Sequence, residues 1–340
     1  MSLLFRDVAG PNLAPGGSVL CVGAFDGVHL GHRALLARVR ERAAARGLPA
    51  LAVSFEPIPR EFFARGAPVP RLASAREKIE YLFAGGISTL LSLRFNAALA
   101  AMSAEAFIDQ VLLQRCAARE IWIGADFRFG HARRGDVALL REHGARLGFD
   151  VEVMDDVCVD GERASSSTVR AHLAAGEFDA TARLLGRRFA IGGHVVRGQQ
   201  LGRQLGYPTA NIRLGRRTSP VGGIFAVRVH GIAATALPGV ASLGVRPTVN
   251  GVEPLLEAHV FDFDGDLYGR RIDVEFVHKL RDEERFHDLD AMVRQIDRDA
   301  IEARTVLSAP MRRPGESRDP VSLSSDAGAG SRLSPGRRAG

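Results

Sequence analysis

A glycine-rich segment near the start of the chain carries residue types that bind phosphate. It reads GAFDGVHLGH over residues 23–32 and includes Asp26 and two histidines, His29 and His32. An apolar run precedes it and helical spacing follows it, which predicts a strand, a turn and a helix start. Such a turn aims unpaired backbone N–H groups and the positive end of a helix dipole at one point. The segment therefore predicts an anion site beside the two imidazoles.

A second polar segment places hydroxyl and guanidinium groups at another helix start. Residues 163–170 read RASSSTVR, with an arginine at each end. In isolation, an ordinary Ser/Thr capping run explains this pattern equally well. Together with the first segment, hydroxyls and backbone N–H groups flanked by arginine would clamp a polyphosphate.

A third segment, GQQLGRQLGYPTAN over residues 198–211, combines spaced glycines with neutral oxygen ligands. The glycines permit a loop that follows phosphates closely, and Thr209 and Asn211 offer oxygens to Mg²⁺. The alternative is a glycine-rich turn closed by a hydrogen bond from the Asn211 side chain.

The first half of the chain alternates short apolar strands with amphipathic helices. The predicted strands cover residues 19–22, 51–55, 89–93, 120–124 and 150–154. This alternation predicts an α/β domain with a Rossmann-like parallel sheet and right-handed crossovers. Ligands of such sheets lie beyond the carboxyl ends of the strands, where Asp26, Pro57 and Asp126 fall.

The pattern changes near Leu184, where strands follow one another with Gly/Pro turns and no intervening helix. Strands at 195–196, 225–229, 255–261 and 272–276 predict a small antiparallel barrel. A helix over 289–304 closes it, with Met292, Ile296, Ala300 and Ile301 as its apolar stripe. We expect domains at 1–185 and 186–306, and a disordered tail over 307–340, which lacks the apolar residues that offset ordering entropy.

Composition excludes several classes of protein. The chain has 340 residues, 46% hydrophobic and 25% charged, with a net charge of +6. Half of that excess lies after residue 307, where six arginines face three acidic residues, so a basic folded surface for nucleic acid is not indicated. With no signal peptide and no long apolar run, we expect a cytoplasmic protein without a membrane partner. Cys21, Cys116 and Cys158 are expected to be reduced and buried.

The ordered set of motifs resembles the prokaryotic bifunctional riboflavin kinase/FAD synthetases. Residues 23–32, 55–57, 124–130 and 165–170 look like the adenylyltransferase half of that family. Residues 198–211, 241–248, 257–259 and 280–286 look like its riboflavin kinase signature. The two resemblances together cover about residues 18 to 305. They imply Mg²⁺ as cofactor and ATP, riboflavin and FMN as substrates.

In the adenylyltransferase half, the resemblance implies that the FMN phosphate attacks the α-phosphorus of ATP and expels pyrophosphate. His29 and His32 would donate hydrogen bonds to the phosphates. Asp26 and Asp126 are candidates for contacts with Mg²⁺, nucleotide or flavin. The implied nucleotide-binding residues are Gly23, Phe25, Asp26, Gly31, Asp126, Arg163, Ser166, Ser167 and Arg170.

In the kinase half, the resemblance makes Glu257 the base that accepts the proton of the ribityl hydroxyl. Mg²⁺ held by Thr209 and Asn211 would neutralise charge on the phosphates. The implied nucleotide-binding residues are Gly198, Gly202 and Arg203. Arg281 and Glu283 are candidates for flavin contacts, although a surface salt-bridge pair would look the same.

Two alternatives stay open at this point. The chain could be a single adenylyltransferase with a passive barrel, which would leave residues 198–211 and Glu257 unexplained. It could also be a non-enzymatic flavin-binding or RNA-binding regulator, in which case flavin would be retained without ATP turnover. We expect small molecules rather than nucleic acid as partners, and a monomer or weak homo-oligomer.

Overall fold

Two separate sheets, one parallel and one closed into an antiparallel barrel, form the frame of the protein. The structure is a computed structural model and describes residues 2–64, 68–198, 202, 205–214, 218–248 and 251–308. The predicted fold class, a Rossmann-like α/β domain followed by a barrel and a final helix, is confirmed.

The parallel sheet comes first and has the strand order β1-β4-β3-β2-β5-β6. Its strands are β1 (Leu3–Phe5), β2 (Ser18–Val22), β3 (Ala50–Glu56), β4 (Thr89–Arg94), β5 (Ala118–Gly124) and β6 (Asp150–Met154). β2 is buried along its whole length because helices cover both faces of the sheet. The strand order reverses between β2 and β5, so the segments after these two strands open at one crevice.

Helices connect these strands, and most begin and end with recognisable caps. They are α1 (Leu30–Arg46), α2 (Pro59–Phe63), α3 (Ala75–Ala84), α4 (Ala97–Ala101), α5 (Ala104–Ala106), α6 (Val137–Leu147), α7 (Ser166–Ala175) and α8 (Phe178–Leu185). A capping box between Ser74 and Glu77 starts α3. Gly47 and Gly176 end α1 and α7 in the left-handed conformation that glycine adopts without strain.

Three features of this half differ from the expectations. β1 is short and pairs with β4, and nothing in its three residues marks a strand. The helix α5 continues as a π-helical segment, Phe107–Arg115, where an ordinary amphipathic α-helix was expected. Cys158 is exposed, whereas Cys21 and Cys116 are buried as expected. Cys158 lies in β7 (Cys158–Val159), a two-residue strand that forms a separate two-stranded sheet with β8 (Glu162–Arg163).

The barrel has the strand order β10-β13-β12-β11-β14-β9 and closes through the pairing of β9 with β10. Its strands are β9 (Ala190–Val196), β10 (Ala210–Arg213), β11 (Gly223–His230), β12 (Leu237–Thr248), β13 (Gly251–Val260) and β14 (Arg271–Arg281). Over residues 271–276 of β14, every second side chain points into the barrel core, where Val274 and Phe276 are fully buried.

The last helix, α9 (Leu289–Ser308), packs against the outside of the barrel. Ala300, Ala303 and Leu307 form its buried face together with Asp299. The expected stripe was wrong at Ile301, which is 67% exposed because it lies one residue beyond that face. The helix runs to Ser308, and the rest of the predicted tail lies outside the described residues. In the described parts of the chain, no helix has the length and apolar character needed to span a membrane.

Candidate active sites

The loop between β2 and α1 is tightly wound over a buried aromatic ring. Phe25 has a φ of +50° and is completely buried. A Cβ on Gly23 would come within 3.1 Å of the Phe25 ring, so glycine at this position lets the ring fold back beneath the loop. The loop ends at His29, the N-cap of α1, whose side chain makes no capping hydrogen bond. The N–H groups of the first turn of α1 are therefore left for an anion.

The two histidines of this loop are stacked and neutral. Their ring centroids lie 3.8 Å apart with an interplanar angle of 26°. Burial lowers the pKa of His29 to about 4, with the charge of Arg163 as the second cause. Burial also holds the pKa of His32 well below its ordinary value. The buried Nδ1 atoms of both rings have no hydrogen-bond partner among the described residues. Neutral imidazoles with polar atoms unused by the fold can donate hydrogen bonds to phosphate oxygens.

The Asp26 side chain is bound by other residues of the protein. Its carboxylate accepts hydrogen bonds from the backbone of Leu72 at 3.1 Å and of Ala73 at 3.3 Å, and pairs with Arg170. The Ser166 hydroxyl donates to the Asp26 carbonyl at 2.8 Å. Burial raises the pKa of Asp26, and the nearby Arg170 offsets this only in part. These groups, predicted as nucleotide contacts, hold the loop against the start of α7.

The helix α7 also reaches the loop through close backbone approach. A Cβ on Gly31 would lie 3.1 Å from the Ala164 carbonyl oxygen and 3.2 Å from the His29 ring. Ser165 caps α7, accepting from the Thr168 N–H at 3.1 Å, so Ser167 lies exposed in the first turn. The structure thus brings the two predicted phosphate-binding segments together, as the sequence analysis expected.

Asp126 and Arg163 form an exposed rim at the end of β5. The Arg163 guanidinium lies 3.3 Å from Asp126 and 2.9 Å from Asp156. The Asp126 side chain is 77% exposed. These side chains can exchange their exposed ion pairs for a ligand at little cost.

The barrel carries a second site, made of two adjoining cavities of about 60 Å³ and about 380 Å³. Thr209 lines both cavities. Gly198 and Asn211 line the smaller one, and Gly202 and Glu257 line the larger one. Arg203, predicted to contact nucleotide here, lies outside the described residues.

The side-chain amide of Asn211 uses its nitrogen, but not its oxygen, in hydrogen bonds among the described residues. Its amide nitrogen donates to the Thr209 carbonyl at 3.1 Å and to the Thr209 hydroxyl at 3.2 Å. Its Oδ1 atom is buried and has no hydrogen-bond partner among the described residues. A Cβ on Gly198 would come within 2.6 Å of this oxygen. An orphaned neutral oxygen beside a hydroxyl oxygen suits a hard cation such as Mg²⁺.

Glu257 lies half-buried on β13, opposite Asn211 of β10 and Ser242 of β12. Strand alternation turns Leu255, Glu257 and His259 towards the larger cavity, while the residues between them fill the barrel core. A carboxylate is therefore placed across the strand from the residues proposed to hold phosphate and metal.

Arg281 is fixed by a residue that the sequence analysis did not identify. The Asp299 carboxylate of α9 accepts hydrogen bonds from two N–H groups of Arg281, at 2.7 Å and 2.9 Å. The Gln295 side chain donates a hydrogen bond to the same carboxylate at 2.8 Å. All three polar groups lie at or behind the wall of the larger cavity, which Arg281 and Asp299 line. The signal in the sequence was an aspartate within the apolar stripe of the final helix. Glu283 also lines this cavity and lies directly over Gly244.

The fold and the two candidate sites together define a class of protein: a two-domain chain with a candidate anion-binding crevice in an α/β domain and a second candidate site on a closed barrel. Two models of known families match separate parts of the chain. The family model for FAD synthetase matches residues 12–168, and that for riboflavin kinase matches residues 185–307.

Relatives extend over nearly the whole chain. A bifunctional riboflavin kinase/FMN adenylyltransferase of Escherichia coli is 44% identical over 302 residues, covering 88% of this chain and 96% of the relative. A protein of the same description from Pseudomonas fluorescens is 48% identical over 297 residues, covering 86% of this chain and 94% of the relative. The chain belongs to the bifunctional riboflavin kinase/FMN adenylyltransferase family.

A solved structure shares the two-domain arrangement. It is described as a macrolide-efflux protein from Streptococcus pneumoniae, is 27% identical and has a TM-score of 0.74. The alignment covers 89% of this chain and 98% of that protein. The similarity therefore includes both the parallel sheet and the barrel.

Proposed function

We propose that the chain makes FAD from riboflavin in two ATP-dependent steps. The barrel domain, residues 186–306, phosphorylates riboflavin to FMN, and the α/β domain, residues 1–185, adenylylates FMN to FAD and releases pyrophosphate. The observation that carries this proposal is the coexistence, in one chain, of matches to the FAD synthetase and riboflavin kinase families, each over a domain with a candidate phosphate site. The cytoplasmic location, the lack of a nucleic-acid partner and a monomeric or weakly oligomeric state stay predictions from sequence.

In the kinase step, Glu257 accepts the proton of the ribityl 5′-hydroxyl as the hydroxyl oxygen bonds to the γ-phosphorus of ATP and ADP leaves. The half-buried setting of Glu257 beside the larger cavity supports this role. Thr209 and Asn211 would hold Mg²⁺, which neutralises charge on the phosphates when bound. Gly198 leaves the space that the orphaned Asn211 oxygen needs for that contact.

In the adenylyltransferase step, a phosphate oxygen of FMN attacks the α-phosphorus of ATP, and the bond to pyrophosphate breaks. No covalent enzyme intermediate is required, so the protein contributes position and charge stabilisation. His29, His32 and the first turn of α1 would donate hydrogen bonds to the phosphates. Arg163 and Ser167, both exposed at the crevice, would bind the triphosphate, while Asp26 and Arg170 hold the loop in place.

Two single substitutions separate the steps. We expect His29→Ala to convert riboflavin to FMN but not to FAD. We expect Glu257→Ala to lose FMN formation and yet to make FAD when FMN is supplied. Chromatography of the flavin products measures both reactions in one assay with riboflavin, ATP and Mg²⁺. His194→Ala and Glu302→Ala, at exposed positions, serve as matched controls.

Loss of both activities in a folded single variant would contradict the two-site proposal. FAD formation from FMN by a wild-type protein that never phosphorylates riboflavin would favour the monofunctional alternative. Retention of flavin without any ATP turnover would favour the non-enzymatic alternative.

A further inference from the structure

The segment that joins the two domains contacts the loop proposed to bind ATP phosphates. Arg187 lies between α8 and β9, and its guanidinium group points back to that loop. Its Nη2 atom donates to the Gly27 carbonyl at 2.6 Å, and its Nη1 atom donates to the Val28 carbonyl at 3.1 Å. The two residues whose carbonyls it binds immediately precede His29.

The backbone at this point is strained and needs external support. Gly27 has a φ of +80° and Val28 a φ of +40°. A β-branched residue rarely adopts a positive φ, and such a conformation persists only where its surroundings hold it. Val28 is also buried, so its side chain cannot relax into solvent. The hydrogen bonds from Arg187 supply part of that support.

Arg187 is itself held rigidly. Its guanidinium lies over the Tyr81 ring of α3, 3.9 Å from the ring centroid. The preceding residue, Gly186, ends α8 with a φ of +66°, which favours glycine, and a Cβ here would lie 2.6 Å from the side chains of both Leu30 and Arg33 of α1. The Arg33 guanidinium in turn donates to the Gly186 carbonyl at 3.2 Å. The joining segment therefore contacts both the loop and the first turn of α1.

Hydrogen bonds from the barrel hold α3, the helix that carries Tyr81. The Gly192 N–H of β9 donates to Glu77 of α3 at 2.9 Å. Arg271 of β14 binds Glu80 of the same helix through two hydrogen bonds, at 3.1 Å and 3.2 Å. Since Tyr81 belongs to α3 as well, the position of Arg187 depends on how the barrel docks against the α/β domain.

We propose that Arg187 is a positioning residue of the adenylyltransferase site, through which the kinase domain holds the carbonyls of Gly27 and Val28 and so orients His29. This inference rests on the proposed function. It assigns part of the second reaction to a residue outside the predicted phosphate-binding segments.

The positive charge of Arg187 also lowers the pKa of the His29 imidazole. Burial is the main reason why the pKa of His29 is low, and Arg187 is one of the arginines whose positive charge lowers it further. Replacement by a neutral residue therefore raises the pKa of His29 towards its ordinary value. A lysine at this position keeps the charge and one donor, but cannot reproduce the planar fork of arginine.

The test compares Arg187→Met and Arg187→Lys with Arg188→Met. Arg188 is the adjacent arginine and forms ion pairs with Asp179 and Glu275. For each full-length variant, kcat and KM are measured for FAD formation from FMN and for FMN formation from riboflavin. The pH profile of FAD formation and the thermal unfolding of the protein are recorded in parallel.

We expect Arg187→Met to lower kcat for FAD formation about tenfold to a hundredfold, because small misplacements of a catalytic group cost that much. FMN formation should stay within about twofold of the wild type. The acid limb of the FAD profile should move to higher pH in Arg187→Met and stay in place in Arg187→Lys, whose kcat should be intermediate. Arg188→Met should change none of these values.

A wild-type rate of FAD formation in folded Arg187→Met would overturn the proposal. So would an equal loss of both activities in folded Arg187→Met. If the methionine variant unfolds at the assay temperature, the lysine variant decides, since a folded Arg187→Lys with wild-type kcat also overturns it. Failure of the proposed function is recognised separately, because the wild type would then form no FAD from FMN and ATP.

Discussion

The carboxylate of Asp26 is bound by the guanidinium group of Arg170, which lies 144 residues further along the chain. Their side chains are 4% and 14% exposed, respectively. Arg170 also donates to the Pro70 carbonyl at 2.7 Å and to the Ser166 carbonyl at 3.0 Å. One arginine therefore connects the phosphate-binding loop, the segment before α3 and the start of α7.

Loss of this arginine should destabilise the α/β domain. Arg170→Met leaves the buried Asp26 carboxylate without its cation, and breaking a buried pair in this way costs about 3 to 5 kcal/mol. Urea unfolding followed by the fluorescence of Trp122, the single tryptophan and a residue of β5, reports on this domain.

Arg38→Met provides the control, since Arg38 pairs with Glu41 in solvent and should contribute less than about 1 kcal/mol. The double variant Asp26→Asn/Arg170→Met should be less destabilised than the two single changes summed, because no charge is left unpaired. Equal effects of the buried and exposed arginines would refute the structural role of the pair.

His29 should make the stability of the α/β domain depend on pH in a defined window. The pKa of His29 is about 4 in the folded protein, against an ordinary value of 6.5. The unfolded chain therefore binds more protons than the native state as pH falls, so stability present above pH 6.5 is lost between about pH 6.5 and pH 4. The loss from this residue is about 3 kcal/mol.

The measurement is Trp122 fluorescence in urea at pH 7.5 and at pH 5, for the wild type and for His29→Asn. The variant removes the titrating group and should lose less stability on acidification. His194→Asn, at an exposed position, should behave like the wild type. An identical pH dependence in His29→Asn and wild type would show that His29 does not titrate in this window.

The sequence predicted the elements that carry the candidate phosphate-binding residues better than it predicted the contacts of each residue. Local spacing placed His29 at a helix start and the RASSSTVR segment at another, and both helices are present. The same spacing could not show that Ser166 and Arg170 would bind Asp26, because that contact exists only after two distant segments fold together. Asp299 was missed for the same reason.

The parallel half of the fold was predictable because buried strands and amphipathic helices have distinct periodicities. In the barrel, β12 was missed, since Pro238, Gly239 and Gly244 all argue against a strand. β10 was missed because its residues were interpreted only as the end of a loop motif. Both strands form where closure of the barrel supplies partners on each side, which local sequence does not encode.

Asp299→Asn should weaken riboflavin binding without affecting FAD formation from FMN. The change removes the charge that holds Arg281 at the wall of the larger cavity, and the arginine is then free to take other conformations. We expect KM for riboflavin to rise about tenfold, the size of a lost charged hydrogen bond. Steady-state kinetics of FMN formation over a riboflavin series checks this.

Asp262→Asn is a matched control, because Asp262 also binds an arginine of α9 through two hydrogen bonds, at 2.7 Å and 2.8 Å, but on the exposed surface. Its riboflavin KM should stay within about twofold of wild type. If both aspartate variants raise KM equally, the effect comes from α9 as a whole and Asp299 has no specific role in the cavity.

Gly198→Ala should impair the metal dependence of riboflavin phosphorylation. The new methyl group would come within 2.6 Å of the Asn211 oxygen proposed as a Mg²⁺ ligand, so either the loop or the ligand must move. Displacing a ligand or its support costs about tenfold or more in metal affinity. Titration of FMN formation with Mg²⁺ at saturating ATP should therefore show a half-saturating concentration at least about tenfold higher, while the Mg²⁺ dependence of FAD formation from FMN stays unchanged.

Gly222→Ala, where a Cβ meets only a carbonyl oxygen at 3.7 Å, should match the wild type in both titrations. A wild-type titration for Gly198→Ala would place the metal away from Asn211.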